Sequence, residues 1–303
     1  MLTITAQHEI DLHSGRITRP RWSPGGDFLA VPTDSGSIAI FDADSASVTN
    51  TLGPHSGAVT AVTWGRTSEC ILSASVDRSV GHWEVKTGFR GPFTITGHKD
   101  PVRFVEWTDE EALAMTCSAD RVRAWDGCCL LPGWDKEMED RANQYTDFST
   151  ASCSNRTSLL LAMAAEKGKV LVLANLLSAD LLATVHMEEP VRCLAWSPAD
   201  ELLAAASTQS VWLFRATHEG FEGSVRVVSR HGSEIQALAF SGDGTLLGCR
   251  DAAGLKIWDV ETLEMVGGLS EHFQAASGIA FHPTEPLLAT SSADGTKLCI
   301  LKF

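Results

Sequence analysis

Hydrophobic and polar positions alternate along the chain in short segments. Apolar runs such as FLAV, LAMTCS and LLATSS are followed by alternating runs such as SIAIFD, RVRAWD and LKIWD. Turns rich in glycine, proline and aspartate, such as SPGGD and SGDGT, separate them. A period of two over a few residues is typical of β-strands, and these turn residues favour sharp reversals. The pattern predicts an all-β protein of many short strands, without long helices.

The strands belong to a repeating unit. An apolar segment that ends in an aromatic residue recurs six times, at Trp22, Trp64, Trp107, Trp196, Phe240 and Phe281. The spacings between them are 42, 43, 89, 44 and 41 residues. The spacing of 89 holds two periods, one of them degenerate in sequence, which makes seven units. Seven four-stranded units in a ring form a β-propeller, so one domain accounts for the whole chain.

Several units resemble WD repeats. The stretches HSGAVTAVTW…ILSASVDRSVGHWE and GHKDPVRFVEW…AMTCSADRVRAWD carry the resemblance, with Trp-Asp endings at Trp125–Asp126 and Trp258–Asp259. The unit at 143–186 departs most, because KVLVLANL stands where the third strand is expected. The resemblance implies a seven-bladed propeller closed by the N-terminal strand, LTITAQHEIDL, which completes the last blade. Such closure removes exposed sheet edges.

These considerations predict a single β-propeller domain over residues 1–303. Residues 1–12 form the outer strand of the last blade. The seven blades occupy approximately residues 13–54, 55–97, 98–142, 143–186, 187–230, 231–271 and 272–303.

Ser73, Asp77 and His82 lie close in sequence and invite interpretation as a hydrolytic triad. The WD-repeat resemblance implies a structural role instead, in a hydrogen-bonded tetrad of histidine, serine or threonine, aspartate and tryptophan. The implied tetrads are His55, Ser73, Asp77 and Trp83, and then His98, Thr116, Asp120 and Trp125. The last unit keeps His272, Thr290 and Asp294, with Leu301 in place of the tryptophan. Such a network satisfies every buried polar group, so we expect scaffolding and no catalytic residues.

The resemblance also implies a binding face, the one that carries the turn aspartates. Four arginines from four units are expected to converge at the mouth of this face: Arg16, Arg103, Arg192 and Arg250. Thr18, Glu234 and Gln236 occupy neighbouring positions. Guanidinium groups suit carboxylates and phosphates, which predicts an acidic or phosphorylated segment of another protein as partner. The alternative is that the arginines only pair with Glu234 or with the turn aspartates.

An insertion from Leu131 to Asp147 is the second candidate for partner binding. It contains Trp134 and Tyr145, the only tyrosine of the chain. Exposed aromatic residues on a variable loop are good interface anchors. The alternative is that both residues cover the degenerate unit beside them.

Composition narrows the classes of function. A formal charge of −14 argues against nucleic-acid binding. Eight cysteines without a C-x-x-C pair favour reduced thiols in the cytoplasm, and no histidine or cysteine cluster predicts a metal or another cofactor. No signal peptide or membrane span is evident, so no membrane partner is expected. The protein is expected to be monomeric by itself.

The sequence therefore predicts a non-enzymatic scaffold or adaptor that binds other proteins at the arginine-bearing face. Two alternatives remain open. One is a propeller enzyme or sensor that acts on a small anionic ligand at the same mouth. The other is a regulatory subunit of a multiprotein complex.

Overall fold

The computed structural model describes residues 2–85, 90–107, 113–126, 135–137, 145, 147–154, 160–175, 180–230, 233–269, 278–292 and 294–303. The strands of these residues form seven antiparallel sheets of four strands each. Each sheet is one blade. The blades follow one another in the chain, and only the last uses a strand from elsewhere in the sequence.

The first four blades have the following strands, listed from the innermost outwards. Strand β1 (Thr5–Asp11) precedes them. Blade 1 contains β2 (Arg21–Trp22), β3 (Phe28–Pro32), β4 (Ile38–Asp42) and β5 (Ser47–Leu52). Blade 2 contains β6 (Val59–Trp64), β7 (Cys70–Ser75), β8 (Val80–Glu84) and β9 (Arg90–Ile95). Blade 3 contains β10 (Val102–Trp107), β11 (Leu113–Ser118), β12 (Val122–Asp126) and β13 (Asp135–Glu137). Blade 4 contains β14 (Thr150–Cys153), β15 (Leu160–Ala165), β16 (Val170–Asn175) and β17 (Leu181–His186).

The remaining three blades follow the same order. Blade 5 contains β18 (Cys193–Trp196), β19 (Leu202–Ala206), β20 (Ser210–Thr217) and β21 (Gly220–Arg230). Blade 6 contains β22 (Ile235–Phe240), β23 (Leu246–Asp251), β24 (Gly254–Asp259) and β25 (Met265–Leu269). Blade 7 contains β26 (Ala280–Phe281), β27 (Leu287–Ser291) and β28 (Lys297–Lys302), with β1 outside them.

The N-terminal strand closes the ring, as the sequence predicted. Strand β1 pairs antiparallel with β28, from Thr5 opposite Lys302 to Asp11 opposite Lys297. Ahead of this strand, the backbone N–H of Leu2 donates to the carbonyl of Val266 in blade 6. The pairing covers the outer edge of β28, which would otherwise be open to association with other strands. The predicted seven-bladed architecture is confirmed.

The core lies between neighbouring blades. Both faces of each middle strand contact another sheet, so β15, with the sequence LLAMAA, is buried along its whole length. The outermost strands are less buried than the middle ones. Strand β5, for example, exposes five of its six residues. The degenerate fourth unit is a regular four-stranded blade, with KVLVLAN providing its third strand, β16.

Hydrogen bonds from the innermost strands connect one blade to the next. The hydroxyl of Thr18 donates to the carbonyl of Val59 at 2.7 Å, and that of Thr60 donates to the carbonyl of Val102 at 2.7 Å. In blade 4 the Ser149 hydroxyl donates in the same way to the carbonyl of Val191, at 2.9 Å. These bonds fix the positions of adjacent inner strands at one rim of the ring.

Candidate functional site

The four implied tetrad residues of blade 2 lie together in the structure. Nε2 of His55 is 2.8 Å from Oγ of Ser73, and its Nδ1 is 3.1 Å from Oδ2 of Asp77. The indole N–H of Trp83 donates to the Ser73 hydroxyl oxygen at 3.0 Å. An imidazole protonated at Nδ1 then satisfies all the groups, with the Ser73 hydroxyl donating to Nε2. Burial would raise the pKa of Asp77, but bonds from Ser79 and His55 lower it to about 2.

Blade 3 has the same arrangement with one additional residue. Nε2 of His98 is 2.8 Å from Oγ1 of Thr116, to which the indole N–H of Trp125 also donates at 2.8 Å. Nδ1 of His98 is 2.8 Å from the hydroxyl of Ser118, which donates to Asp120. Burial, together with the nearby Arg123 charge, lowers the pKa of His98 to about 4. Sequence reasoning missed Ser118, although a serine two residues before the turn aspartate recurs as Ser75 in blade 2.

The geometry of blade 2 argues against nucleophilic chemistry at Ser73. Its side chain is fully buried, and its oxygen is already held by an imidazole and an indole. The imidazole that Ser73 and Asp77 contact belongs to His55. His82 lies on β8, where it pairs with Leu72 and not with Ser73. A nucleophile has to meet a substrate beside an oxyanion hole, and Ser73 has no route to one.

The tetrad face is the end of the ring that carries the turns after each second strand. Arg16 lies on it, because its backbone exchanges hydrogen bonds with Asp34 in the blade 1 turn. Arg103 begins blade 3 beside Val102, which pairs with Ser118 next to the corresponding turn. Both side chains are exposed, and neither guanidinium has a hydrogen-bond or ion-pair partner among the described residues. Val76, 40% exposed, lies on the blade between them.

Arg192 has an internal partner. Its Nε is 3.4 Å from Oε1 of Glu234 in blade 6, and the two side chains are 50% and 56% exposed. Gln236 is partly buried, and its backbone carbonyl accepts a hydrogen bond from the thiol of Cys193. Thr18 uses its hydroxyl in the bond to blade 2 described above. Arg192 and Thr18 therefore connect blades through their side chains, and Gln236 does so through its backbone carbonyl. For Arg192 this is one of the two roles considered for the arginines, pairing with Glu234.

The predicted exposure of Arg250 is wrong. Its side chain is 0% exposed and lies between blades 6 and 7, where Nη1 donates to the hydroxyls of Thr290 and Ser291. The reason is strand register. Asp251 pairs with Ile235 as Ser75 pairs with Val59, so Asp251 belongs to the strand and not to the turn. Arg250 therefore takes the position of Ala74, which faces the next blade.

Burial changes the chemistry of Arg250 and of the blade it contacts. Desolvation lowers the pKa of Arg250 to about 10. Thr290 is at the position that Ser73 has in blade 2, and Leu301 is at the position of Trp83. The guanidinium N–H thus provides the hydroxyl with the donor that the missing indole would have supplied. His272 lies outside the described residues.

The second candidate region is described only in part. Trp134 lies outside the described residues, so its role stays a prediction. Tyr145 is partly buried and packs against the apolar cluster between blades 3 and 4, which includes Phe148 and Met163. This contact fits the interpretation of Tyr145 as a cover for blade 4.

A central cavity of about 960 Å³ is lined by the inner strands of all seven blades. An ion pair that the sequence reasoning missed crosses it: Nη2 of Arg21 in blade 1 is 3.0 Å from Oε1 of Glu106 in blade 3. Oε2 of Glu106 accepts the backbone N–H of Cys153 in blade 4 at 2.9 Å. Burial raises the pKa of Glu106, although the Arg21 charge acts in the opposite direction.

A sequence signal for this pair exists. The residue directly before the first-strand aromatic is charged only in PRW and VEW, at Arg21 and Glu106. The equivalent residues in other blades are small: Thr63, Ser152, Ala195, Ala239 and Ala280.

No group of three or more histidine, cysteine, aspartate or glutamate side chains in the described residues has a metal-binding arrangement. No helix in the described part of the chain is long and apolar enough to cross a membrane.

Two protein-family models match the chain. The one described as anaphase-promoting complex subunit 4 WD40 domain matches residues 6–67. The one described as WD domain, G-beta repeat, matches residues 92–126, 180–215 and 263–296. The matches cover segments in both halves of the ring.

Similar proteins are known by sequence and by structure. WD repeat-containing protein slp1 of Schizosaccharomyces pombe is 24% identical over 265 residues, which are 85% of this chain and 52% of slp1. Human F-box-like/WD repeat-containing protein TBL1X is 32% identical over 104 residues, 34% of this chain and 18% of TBL1X. The chain thus spans about half the length of slp1. The β-propeller domain of Cps50 (Swd1) from Myceliophteria thermophila has a TM-score of 0.84 and 17% identity, covering 99% of this chain and 100% of that chain.

Seven four-stranded sheets around a central cavity, closed by the N-terminal strand, define a seven-bladed β-propeller. The WD-repeat models that match the sequence, together with the relatives named above, identify the family. The chain belongs to the WD-repeat family.

Proposed function

We propose that this protein is a non-enzymatic interaction scaffold that binds an acidic or phosphorylated segment of a partner protein on its tetrad face. The observation that carries the proposal is a patch formed by Arg16, Val76 and Arg103 on blades 1 to 3. All three side chains are exposed, and the two guanidinium groups have no partner among the described residues. A segment with carboxylates or phosphates around one apolar residue complements this patch.

Three acidic side chains near the patch are held by other groups. Asp34 accepts the backbone N–H of Arg16. Asp77 accepts hydrogen bonds from Ser79 and the Ser56 backbone and contacts His55. Asp120 is held by Ser118 and by an ion pair with Arg121. These carboxylates are committed to the tetrads and turns, so Arg16 and Arg103 keep their charge for a partner. Arg192 contributes less, because Glu234 already compensates it.

A regulatory subunit of a multiprotein complex is a compatible form of the same role. One matching family model is named for a subunit of such a complex. The six described cysteines that are free thiols fit a reducing, cytoplasmic setting. WD-repeat propellers generally act as interaction scaffolds and not as enzymes, and the burial of Ser73 agrees with that expectation.

The test is affinity capture with three forms of the protein: wild type, an Arg16→Glu/Arg103→Glu double variant, and an Arg215→Glu control. Arg215 is an exposed arginine near the other end of a blade, opposite Leu202 at the start of β19. Partners are identified by mass spectrometry. An acidic or phosphorylated segment of any candidate is then made as a peptide, and its affinity for the three purified forms is measured.

The expected result is a peptide that binds wild type and the Arg215→Glu control equally, and the double variant at least about tenfold more weakly, as lost charge-assisted bonds imply. The double variant should have the same melting temperature as wild type, because the side chains of Arg16 and Arg103 have no partner among the described residues. Equal binding to the double variant and to wild type would refute the proposed face.

A further inference from the structure

The central cavity is lined by more positive than negative side chains, although the chain as a whole is acidic. The formal charge of the chain is −14. Of the described residues that line the cavity, Arg19, Arg21, Arg66 and Glu106 carry a charge at neutral pH. Arg21 and Arg66 lie toward the end at which the first strands finish, on the neighbouring blades 1 and 2. A cationic cavity in an acidic protein is an unusual feature that needs a reason.

The single glutamate does not cancel this charge. One carboxylate oxygen of Glu106 pairs with the Arg21 guanidinium, and the other accepts the backbone N–H of Cys153. The Glu106 side chain is 8% exposed. It is therefore satisfied by groups of the protein. Arg21 itself is 49% exposed and has further N–H donors that face the cavity, while Arg66 is exposed and has no partner among the described residues.

Trp107 provides an independent indication of a ligand. The equivalent tryptophans each donate to a backbone carbonyl of the preceding blade: Trp22 to Ala280 at 3.2 Å, Trp64 to Arg21 at 2.9 Å and Trp196 to Ser152 at 3.0 Å. The indole N–H of Trp107 is buried and has no hydrogen-bond partner in the described part of the chain, and the side chain lines the same cavity and is 7% exposed. An unsatisfied buried donor costs about 1–3 kcal/mol, so its presence calls for an acceptor.

These groups come from three consecutive blades at one level of the ring. Arg21 directly precedes Trp22, Arg66 follows Trp64 by two residues, and Trp107 is at the equivalent level of blade 3. Arg21, Arg66 and Trp107 all line a cavity of about 960 Å³. This volume accommodates a small organic ligand. All three side chains are hydrogen-bond donors, which suits an anion with several oxygen atoms.

We propose that the central cavity binds a small phosphate-bearing anion through Arg21, Arg66 and the indole N–H of Trp107. The site is separate from the tetrad-face patch and does not depend on the proposed protein partner. Phosphate is favoured over a single carboxylate because its oxygens can accept from donors on three sides. The bound anion satisfies the Trp107 N–H and ties blades 1, 2 and 3 together from inside the ring.

The first experiment is a calorimetric titration of the purified protein with inorganic pyrophosphate at low ionic strength. Wild type should show saturable binding with one site. Arg66→Ala and Trp107→Phe should each weaken binding by about tenfold, the loss of one hydrogen bond to a charged group. Arg215→Ala, which removes the same charge outside the cavity, should change the affinity less than twofold.

The second experiment observes the donor directly. Indole N–H resonances are recorded by NMR, and that of Trp107 is assigned by its absence in Trp107→Phe. Pyrophosphate should shift the Trp107 resonance and leave those of Trp64 and Trp196, whose N–H groups are already bonded, nearly unchanged. Trp107→Phe loses no internal hydrogen bond, so it should fold normally.

Several results would overturn the proposal. They are the absence of saturable binding up to millimolar pyrophosphate, unchanged affinity in Arg66→Ala, an equal loss in Arg215→Ala, or no shift of the Trp107 resonance. Sulfate is titrated in parallel. Equal affinity for sulfate and pyrophosphate would mean that the cavity recognises an oxyanion charge and not a phosphate compound, which also contradicts the proposal as stated.

Discussion

Blades 2 and 4 reach the same four-stranded sheet by opposite means. In blade 2 the centre of the sheet contains His55, Ser73 and Trp83 in a buried hydrogen-bonded network. In blade 4 the register places Met163 at the position of Ser73 and Ala174 at that of Trp83. Both residues are fully buried in the apolar cluster between blades 3 and 4. A long apolar side chain fills the space that the polar network occupies in its neighbour.

The two solutions differ in what they hold in place. In blade 2 the network reaches from the sheet to the turn that carries Asp77 and on to the backbone of Ser56, so it orients the tetrad face. In blade 4 the turn at Glu166–Gly168 is held by backbone bonds, such as that from the Val191 N–H to the Gly168 carbonyl at 2.8 Å. The comparison teaches that the tetrad is a device for positioning loops, and that the sheet itself forms without it.

The largest expected effect comes from making blade 4 imitate blade 2. Met163→Ser removes a buried side chain and leaves a hydroxyl without the histidine and indole that serve Ser73. We expect a loss of roughly 3–5 kcal/mol in the free energy of unfolding, measured with urea. Met163→Leu keeps the volume and should cost less than about 1.5 kcal/mol. Equal stabilities of the serine and leucine variants would show that blade 4 tolerates a polar centre.

The second prediction concerns pH and the network of blade 3. The pKa of His98 is about 4 in the folded protein against 6.5 ordinarily, so the unfolded chain takes up the proton first as the pH falls. The stability that His98 contributes is present above pH 6.5 and is lost as the pH falls to about 4. The maximum loss is about 3 kcal/mol. NMR titration of the His98 ring should give the low pKa, and His98→Gln should flatten this part of the pH profile. A ring that titrates near 6.5 would contradict the prediction.

The reverse change, which makes blade 2 resemble blade 4, should cost less. Ser73→Ala leaves the Trp83 indole N–H and Nε2 of His55 without their shared partner. We expect a loss of about 2 kcal/mol in the free energy of unfolding. The exposed Ser45→Ala is the control and should change it by less than about 0.5 kcal/mol. If Ser73→Ala is as stable as the control, the tetrad does not contribute to stability.

The tryptophans of the innermost strands allow a similar comparison, between a hydrogen-bonded indole and an unbonded one, with smaller expected changes in stability. Trp64→Phe removes a bonded indole and leaves the Arg21 carbonyl without its donor, which should cost about 1–2 kcal/mol. Trp107→Phe removes an unbonded indole, so relief of the unsatisfied N–H offsets the lost ring contacts, and the free energy of unfolding should change by less than about 0.5 kcal/mol in buffer without phosphate. The difference between the two variants is the quantity to measure by urea denaturation. Equal losses would contradict the unbonded state of Trp107.

The smallest effect is expected at the rim. Arg192→Ala breaks an ion pair whose two side chains are half exposed, so it should cost less than about 1 kcal/mol. The loss should shrink further in high salt, because exposed pairs are screened. A loss of several kcal/mol would mean that this pair connects blades 5 and 6 more tightly than its exposure indicates.

Repeat spacing and turn chemistry predicted the number of blades, the order of strands and the closure by the first strand. These features depend on short-range patterns that recur seven times. The burial of Arg250 depends on a turn that is one residue shorter than in blade 2, which changes strand register without changing the visible motif. Arg21 and Glu106 stand out in the sequence as charged residues where the other blades have small ones, but this local pattern does not encode that the two meet across the ring, on blades that are not neighbours.

The pairing of β1 with β28 sets the order in which the molecule can be completed. Strand β1 leaves the ribosome before every other strand of the ring, yet its partner is the last strand to be made. Strand β1 therefore stays without its partner strand while the other six blades are made. Folding ends with a contact between distant parts of the chain. The growing chain exposes two open edges until that moment. A chaperone or a partner that shields β1 during synthesis would thus protect the molecule at its most vulnerable stage.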